Sequence, residues 1–442
     1  LGDQSEGGWG IKYQQGDFNM TSDSKLFPER PKWEAKGYQP DEYGHWLKGC
    51  WGDYSGPTNI LDREPHLVLS RDGSKAIRVG DIEDVALPLY EGRMINQFDF
   101  SEKGWVSGKG RGAVWSNIEW SKKVIDPQYL ISQRQAQAEG FAFAERLAFM
   151  DICSATNSRT FYGCVIPPFP TGHSVPILNS SQSPHLLSGA MNSFAVDHAL
   201  RLRVGGLHLT WNYLEESPCL PVQDDKLARA IVQFVKQLNN ANEVFARSWE
   251  PSSERSWRMY WALTEHERLR SRVILDALVF KAFGFTVSDV THLLGACDHP
   301  VGTMAAIPFL NPKGFWRVDK SLPPEVRHTV LSQVAFRDLD ELGLDDFISQ
   351  NDGEGWLIPE SLRLADYGLG HDDRAQEHQP VASRLGPRFH EWQLEEDVER
   401  SWEECAAHAE LIRQIVPEPE SVDEVAEESA DYKVESTQGA LF

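Results

Sequence analysis

The sequence contains no apolar run near the ~18 residues that a membrane-spanning helix requires, so no membrane span is expected. No charged-then-apolar leader is visible at its start. It begins at Leu1 rather than Met, which reads as a processed chain or a piece of a longer reading frame. Cysteines are few. Cys50, Cys153, Cys164, Cys219, Cys297 and Cys405 are scattered with no Cys-x-x-Cys pair. That excludes a zinc ribbon, argues against a disulfide framework and suits a reducing cytoplasm. Basic residues are scarce as well: 43 Lys and Arg face 66 Asp and Glu, a net charge of −23. Such a balance weighs against nucleic-acid binding unless the charge is unevenly placed.

It is unevenly placed. From Glu395 to Glu435 fifteen acidic residues stand against Arg400, Arg413 and Lys433, so −12 of the −23 lies there. The last stretch, "VPEPESVDEVAEESADYKVESTQGALF", has the composition of a disordered acidic tail. The remaining chain is only mildly acidic, and a DNA groove needs no more than local basic residues.

Catalytic signatures are also missing. "SGKGRG" (107–112) lacks the spacing of a phosphate-binding loop and reads as an exposed turn. There is no His-Glu-x-x-His, and His173, His185, His198 and His208 have no metal-ligand spacing, so no metal site is expected. No Gly-x-Ser-x-Gly elbow occurs. "IPPF" (166–169) comes near the [DN]-P-P-[FY] signature of adenine amino-methyltransferases. There the first side chain accepts a hydrogen bond from a flipped base, which Ile166 cannot do. No F-x-G-x-G loop is present either.

What is abundant is tryptophan, fifteen in 442 residues, and most are expected to be buried and structural. Length alone predicts two or three domains. Residues 1–65 read as loop-rich. "HLVLS" (66–70) and "KAIRV" (75–79) flank Asp72-Gly73, a hairpin signal. "ERLAFMDIC" (145–153) and "RTFYGCVIPP" (159–168) read as strands joined by a short loop. Residues 183–206 read as one helix, started by Ser183-Pro184 and stopped by Gly205-Gly206. Residues 208–222 then read as extended. Two long amphipathic helices follow over 225–247 and 265–283, and a short helix over 284–294 is capped by Ser288. "GFWRVDK" reads as a strand before a helix that starts near Pro323-Pro324.

One stretch fits neither helix nor ordinary loop. In "PLYEGRMINQFDF" (88–100) large apolar residues alternate with Arg93, Asn96 and Gln97. This stretch, "WGIKYQQGDFNMTSDSKLF" (9–27), residues 145–168 and "LLSGAMNSFAVDHALRLRVGGLHLTWNYLEESPCLPV" (186–222) come in an order that resembles the target-recognition region of large adenine-specific DNA methyltransferases. These include type IIG-like restriction–modification enzymes and the methyltransferases of phage-exclusion systems. Residues 269–294 resemble the helical segment that follows in that family, and two later stretches resemble a C-terminal extension of one subgroup.

The resemblance implies a mixed α+β fold. A loop-rich segment over 1–65 would join a missing catalytic domain, and a target-recognition domain with a mixed sheet would cover 66–224. A helical domain over 225–300, an extension over 301–400, and a short helix with an acidic disordered tail over 401–442 would complete it. It implies cytoplasmic, sequence-specific binding of double-stranded DNA for restriction–modification or antiviral defence. Methyl transfer from S-adenosyl-L-methionine to adenine N-6 would occur on an upstream domain or partner subunit, leaving this chain inactive alone. The candidate contacts are Arg93, Asn96 and Gln97 in the opening stretch, and Lys109 and Arg111 in the Gly-rich turn. Asn157, Ser158 and Arg159 in the strand-linking loop, and Arg201, Arg203, His208 and Asn212 around the Gly-Gly turn, complete the set. A non-catalytic assembly subunit of an antiphage complex is the rival expectation. A carbohydrate-binding module, suggested by tryptophan alone, lacks the repeated strand pattern of a β-sandwich.

Overall fold

The computed structural model describes residues 1–416 apart from 6, 7, 305, 308 and 309, so the acidic tail after Val416 lies outside the described residues. The fold is mixed α and β. One four-stranded sheet runs Lys12–Gln14, Ile177–Asn179, Arg146–Phe149, Gly163–Ile166. A second runs Tyr129–Ser132, Ile82–Leu89, Trp46–Gly49, Gln39–Pro40. Among the described residues all paired strands are antiparallel, and parallel pairing is confined to the bridges Phe18–Gly172 and Tyr90–Thr171.

The hairpin signalled by Asp72-Gly73 is present, with Leu67–Leu69 against Lys75–Arg78. Ser70, Ser74 and the Asp72 carboxylate close its turn by short hydrogen bonds. The strands Arg146–Phe149 and Gly163–Ile166 also pair as their sequence suggests.

Elsewhere local reading fails for physical reasons. The single helix expected over 183–206 is two, Pro184–Met191 and Phe194–Arg203. Between them the Asn192 side chain bonds both the N–H and the C=O of Gly163, and Ser193 caps the second helix through Val196 N–H. The expected extended stretch after 208 contains a helix, Trp211–Glu215. The helix Val287–Leu293 is capped by Thr286, not Ser288, because Thr286 and Asp289 form a reciprocal capping pair. "GFWRVDK" forms turns instead of a strand, and its helix is His328–Leu342.

The segment expected to be amphipathic over 265–283 is a helix, Glu265–Ala282, buried on nearly all sides. Its charged residues are therefore paired within the protein, as buried charge requires. Arg270 and Arg388 both bind Glu267. Burial would raise the Glu267 carboxyl, but these two guanidiniums outweigh it and hold it down to about 2.

The apolar clusters draw on residues distant in sequence. One apolar cluster joins Leu1 and Trp9 to strand residues such as Leu147, to helix residues such as Val235 and Leu278, and to Val381. A second joins Phe18, Tyr43, Leu87, Met94 and Phe100 to Leu411, Ile412, Ile415 and Val416. Nine of the fifteen tryptophans are buried; Trp249, Trp257, Trp261 and Trp402 build a third cluster of their own.

The helix Val398–Ile415, the last among the described residues, lies against the early chain. Tyr43 Oη and His408 Nδ1 are 2.7 Å apart, Arg400 reaches Asp62 at 2.8 Å, and His66 reaches Gln414 at 2.7 Å.

Candidate nucleic-acid interface

The stretch 88–100 begins as the end of the strand Ile82–Leu89 and continues through a 3-10 turn, Gly92–Met94. Tyr90, Met94, Ile95, Phe98 and Phe100 are all buried. Asn96 and Asp99 exchange backbone hydrogen bonds of 2.9 and 3.1 Å, forming a tight turn that puts Phe98 at φ 53°. The apolar residues therefore act as roots for the polar ones. Arg93 is exposed, and its guanidinium donates to Ala113 O at 3.4 Å; Asn96 and Gln97 are half-buried.

Asn96 and Gln97 open onto a cleft of about 290 Å³. Its other walls come from distant segments: Asp99, Glu102 and Trp120, then Ser158, Arg159 and Tyr162, then Glu265, Arg268 and Arg272, and lastly Val318, Asp319 and His328. Gln97 Nε2 donates to Asn192 O at 2.9 Å, which fixes its amide plane. Arg268 stacks 3.5 Å from the Trp120 ring centre and donates to Leu238 O, Ala262 O and Phe98 O. Below the floor, Lys123 Nζ contacts both carboxylate oxygens of Asp99 at 2.7–2.8 Å. Burial lowers the Lys123 ammonium, and burial beside Asp99 raises the Glu102 carboxyl.

The loop between the paired strands supplies the facing wall. Thr156, Asn157 and Ser158 are exposed, while Arg159 is buried. The Arg159 guanidinium lies 3.5 Å from the Phe194 ring centre, with Asp276 at 3.6 Å and Asp197 at 3.9 Å. Its two terminal nitrogens have no hydrogen-bond partner within the protein. They are unsatisfied donors at the cleft's edge, and such groups are costly when left unpaired.

Arg201, one of the expected DNA contacts, is fully buried. Its Nε pairs with Asp197 at 2.9 Å, and its terminal nitrogens donate to Asn157 O, Ser158 O, Lys313 O and Gly314 O. It is a staple that holds the backbone of the exposed loop.

Lys109 and Arg111 project from the hairpin Lys103–Ser107 and Val114–Asn117, whose tip is exposed, including Val106 and Val114. Trp105 Nε1 bonds Gly108 O at 2.9 Å inside that turn. Arg93 links the hairpin to the cleft through its contact with Ala113. Arg203, His208 and Asn212 do not line the cleft. Arg203 pairs with Glu216 at 3.0 Å, His208 pairs with Asp151 at 2.7 Å, and Asn212 is exposed on its short helix.

Thus Asn96, Gln97, Ser158 and Arg159 are brought together, Arg93, Lys109 and Arg111 form a neighbouring exposed group, and the Gly-Gly-turn residues sit apart. Reading the sequence missed Trp120, Lys123, Arg268, Arg272 and His328. For Arg268 and Arg272 the available signal was "HERLRSRV" (266–273), with charges on every side of a helix otherwise apolar enough to be buried. Chemically the cleft offers donors and acceptors: the Asn96 and Gln97 amides, the Arg159, Arg268 and Arg272 guanidiniums and the Asp99, Glu102, Glu265 and Asp319 carboxylates. No family model, curated protein or solved structure matches this chain.

Proposed function

We propose that this chain recognises a specific sequence in duplex DNA, as the specificity part of an adenine-specific modification or restriction–modification enzyme. The observation that supports this most is the cleft, where planar amide and guanidinium groups from three distant segments converge and are fixed by buried anchors. Planar, bidentate-capable groups are what base edges and phosphates require. The exposed Arg93, Lys109 and Arg111 beside it supply local positive charge on an acidic chain. S-adenosyl-L-methionine and the methyl-transfer residues belong, on this reading, to a catalytic domain or subunit outside the chain.

The test is selection of duplexes from a randomised pool, followed by anisotropy titrations at several salt concentrations. An enriched sequence, with log K falling linearly against log salt by about 0.9 per phosphate contact, is the expected result. Absence of enrichment, with affinity insensitive to salt, would sink the proposal.

A second reading, a non-catalytic assembly subunit, is favoured by a separate observation. Ile152, Leu202, Leu207 and Leu220 are each more than half exposed, and Ile152 and Leu207 lie on adjoining backbone segments joined by the Ile152–His208 bridge. An apolar surface of this kind fits a protein partner, whose binding would survive high salt.

A further inference from the structure

We infer that Asp298, His299 and His371 form a binding site for a divalent transition-metal ion of the zinc class. Each offers one ligand atom, and these atoms all lie within 4.8 Å of one another. The His299 and His371 rings stack with centres 3.6 Å apart and planes 3° from parallel, and His371 Nε2 is 3.1 Å from Asp298 Oδ2. Two imidazoles and a carboxylate suit zinc and its first-row neighbours, whereas magnesium prefers an all-oxygen shell.

Surrounding contacts orient these groups as ligands are usually oriented. Asp298 is buried, and its Oδ2 accepts the Gly370 N–H at 2.8 Å. Arg327, also buried, donates to Cys297 O and His299 O, both at 2.7 Å, and so clamps the backbone on either side of Asp298. Outer contacts of this sort set ligand direction in metal sites. The His299 ring makes no hydrogen bond within the protein among the described residues, so its nitrogens are available. His371 is about half exposed, 48% of its side chain. Imidazoles meet a shared ion edge-on, so the stacked rings must fan apart, and His371 has the room to turn. Three protein ligands at an open surface leave the fourth position for water.

The ion would cross-link two distant stretches, the turn after the helix Val287–Leu293 and the Gly370-His371 turn of the C-terminal extension. It is therefore assigned a clamping role, independent of the DNA reading.

The experiment is a titration of the full chain, its cysteines kept reduced, with zinc chloride against a chromogenic zinc chelator. The expected result is one equivalent bound, weakened roughly 100-fold or more by His371→Ala and by Asp298→Asn. Circular dichroism verifies that both variants remain folded, and the half-exposed position of His371 makes its variant the safer one. Magnesium at millimolar concentration should not displace the ion. Zinc binding that persists unchanged in His371→Ala, no stoichiometric binding by the parent chain, or displacement by magnesium would each overturn the assignment.

Discussion

Arg201 and Arg159 show how one residue type divides its work. Arg201 spends every donor on the protein: Asp197 and four backbone carbonyls. Removing it strands a buried carboxylate and frees the Asn157–Ser158 backbone. Arg201→Ala should destabilise the fold by roughly 3–5 kcal/mol in urea unfolding, the usual range for breaking a buried ion pair. Arg201→Lys should recover little of this, since an ammonium cannot reproduce the planar fork. Glu91 makes a different prediction. Its Oε2 is buried without a hydrogen-bond partner, and burial pushes its carboxyl up to about 7, partly opposed by Arg93. The folded state therefore holds the proton more tightly than the unfolded state does. The associated stability is fully present below about pH 4.5 and is lost as pH rises through about 7. Glu91→Gln should accordingly raise stability at pH 8 by roughly 1–3 kcal/mol and leave it unchanged near pH 4. Melting curves at the two pH values decide this; an equal gain at both would show that the carboxyl is not responsible.

At the scale of elements, the hairpin Lys103–Asn117 is the most exposed part of the proposed interface. Lys109→Ala with Arg111→Ala should weaken DNA binding without preference for sequence, and flatten the salt slope by about 2. An unaltered slope would place these residues away from phosphate. Gly108 at φ 74° is fixed by geometry, because a Cβ there would lie 2.5 Å from Gly112 O. Gly108→Ala should distort the tip and mimic the double substitution. The strands and hairpins were legible in the sequence where local chemistry decided them, as at Asp72-Gly73. The break at Asn192 was not, because its cause is the Gly163 peptide on another strand. The same holds for the site. Asn96 and Gln97 could be picked out as polar groups among apolar anchors, which are buried, and Ser158 as part of a polar loop between two strands. The burial of Arg159 was hidden, since its partners Asp197 and Asp276 sit on two helices distant in sequence, and that of Arg201 because its carbonyl partners at 157–158 and 313–314 come from remote segments. Arg268 was overlooked because a charged residue on a helix is ordinarily assigned to the solvent face.

For the whole molecule, charge placement matters more than charge total. Residues 418–442 carry eight acidic groups against Lys433. If DNA meets the exposed basic group near the cleft, an acidic segment of the same chain competes with phosphate for it through screened Coulomb forces. Truncation after Pro417 should therefore tighten DNA binding several-fold at low salt, with the gain fading as salt rises past the range where the Debye length falls below about 8 Å. Unchanged affinity at low salt would dispose of that role.

The contact between the last helix and the early chain has a consequence for biosynthesis. Leu411, Ile412, Ile415 and Val416 complete an apolar cluster begun by Phe18 and Tyr43, almost four hundred residues earlier. A ribosome-bound chain cannot close that cluster until the helix Val398–Ile415 has left the exit tunnel. Until then the face of the cluster that those four residues cover stays open, and the growing polypeptide carries it as a site for self-association.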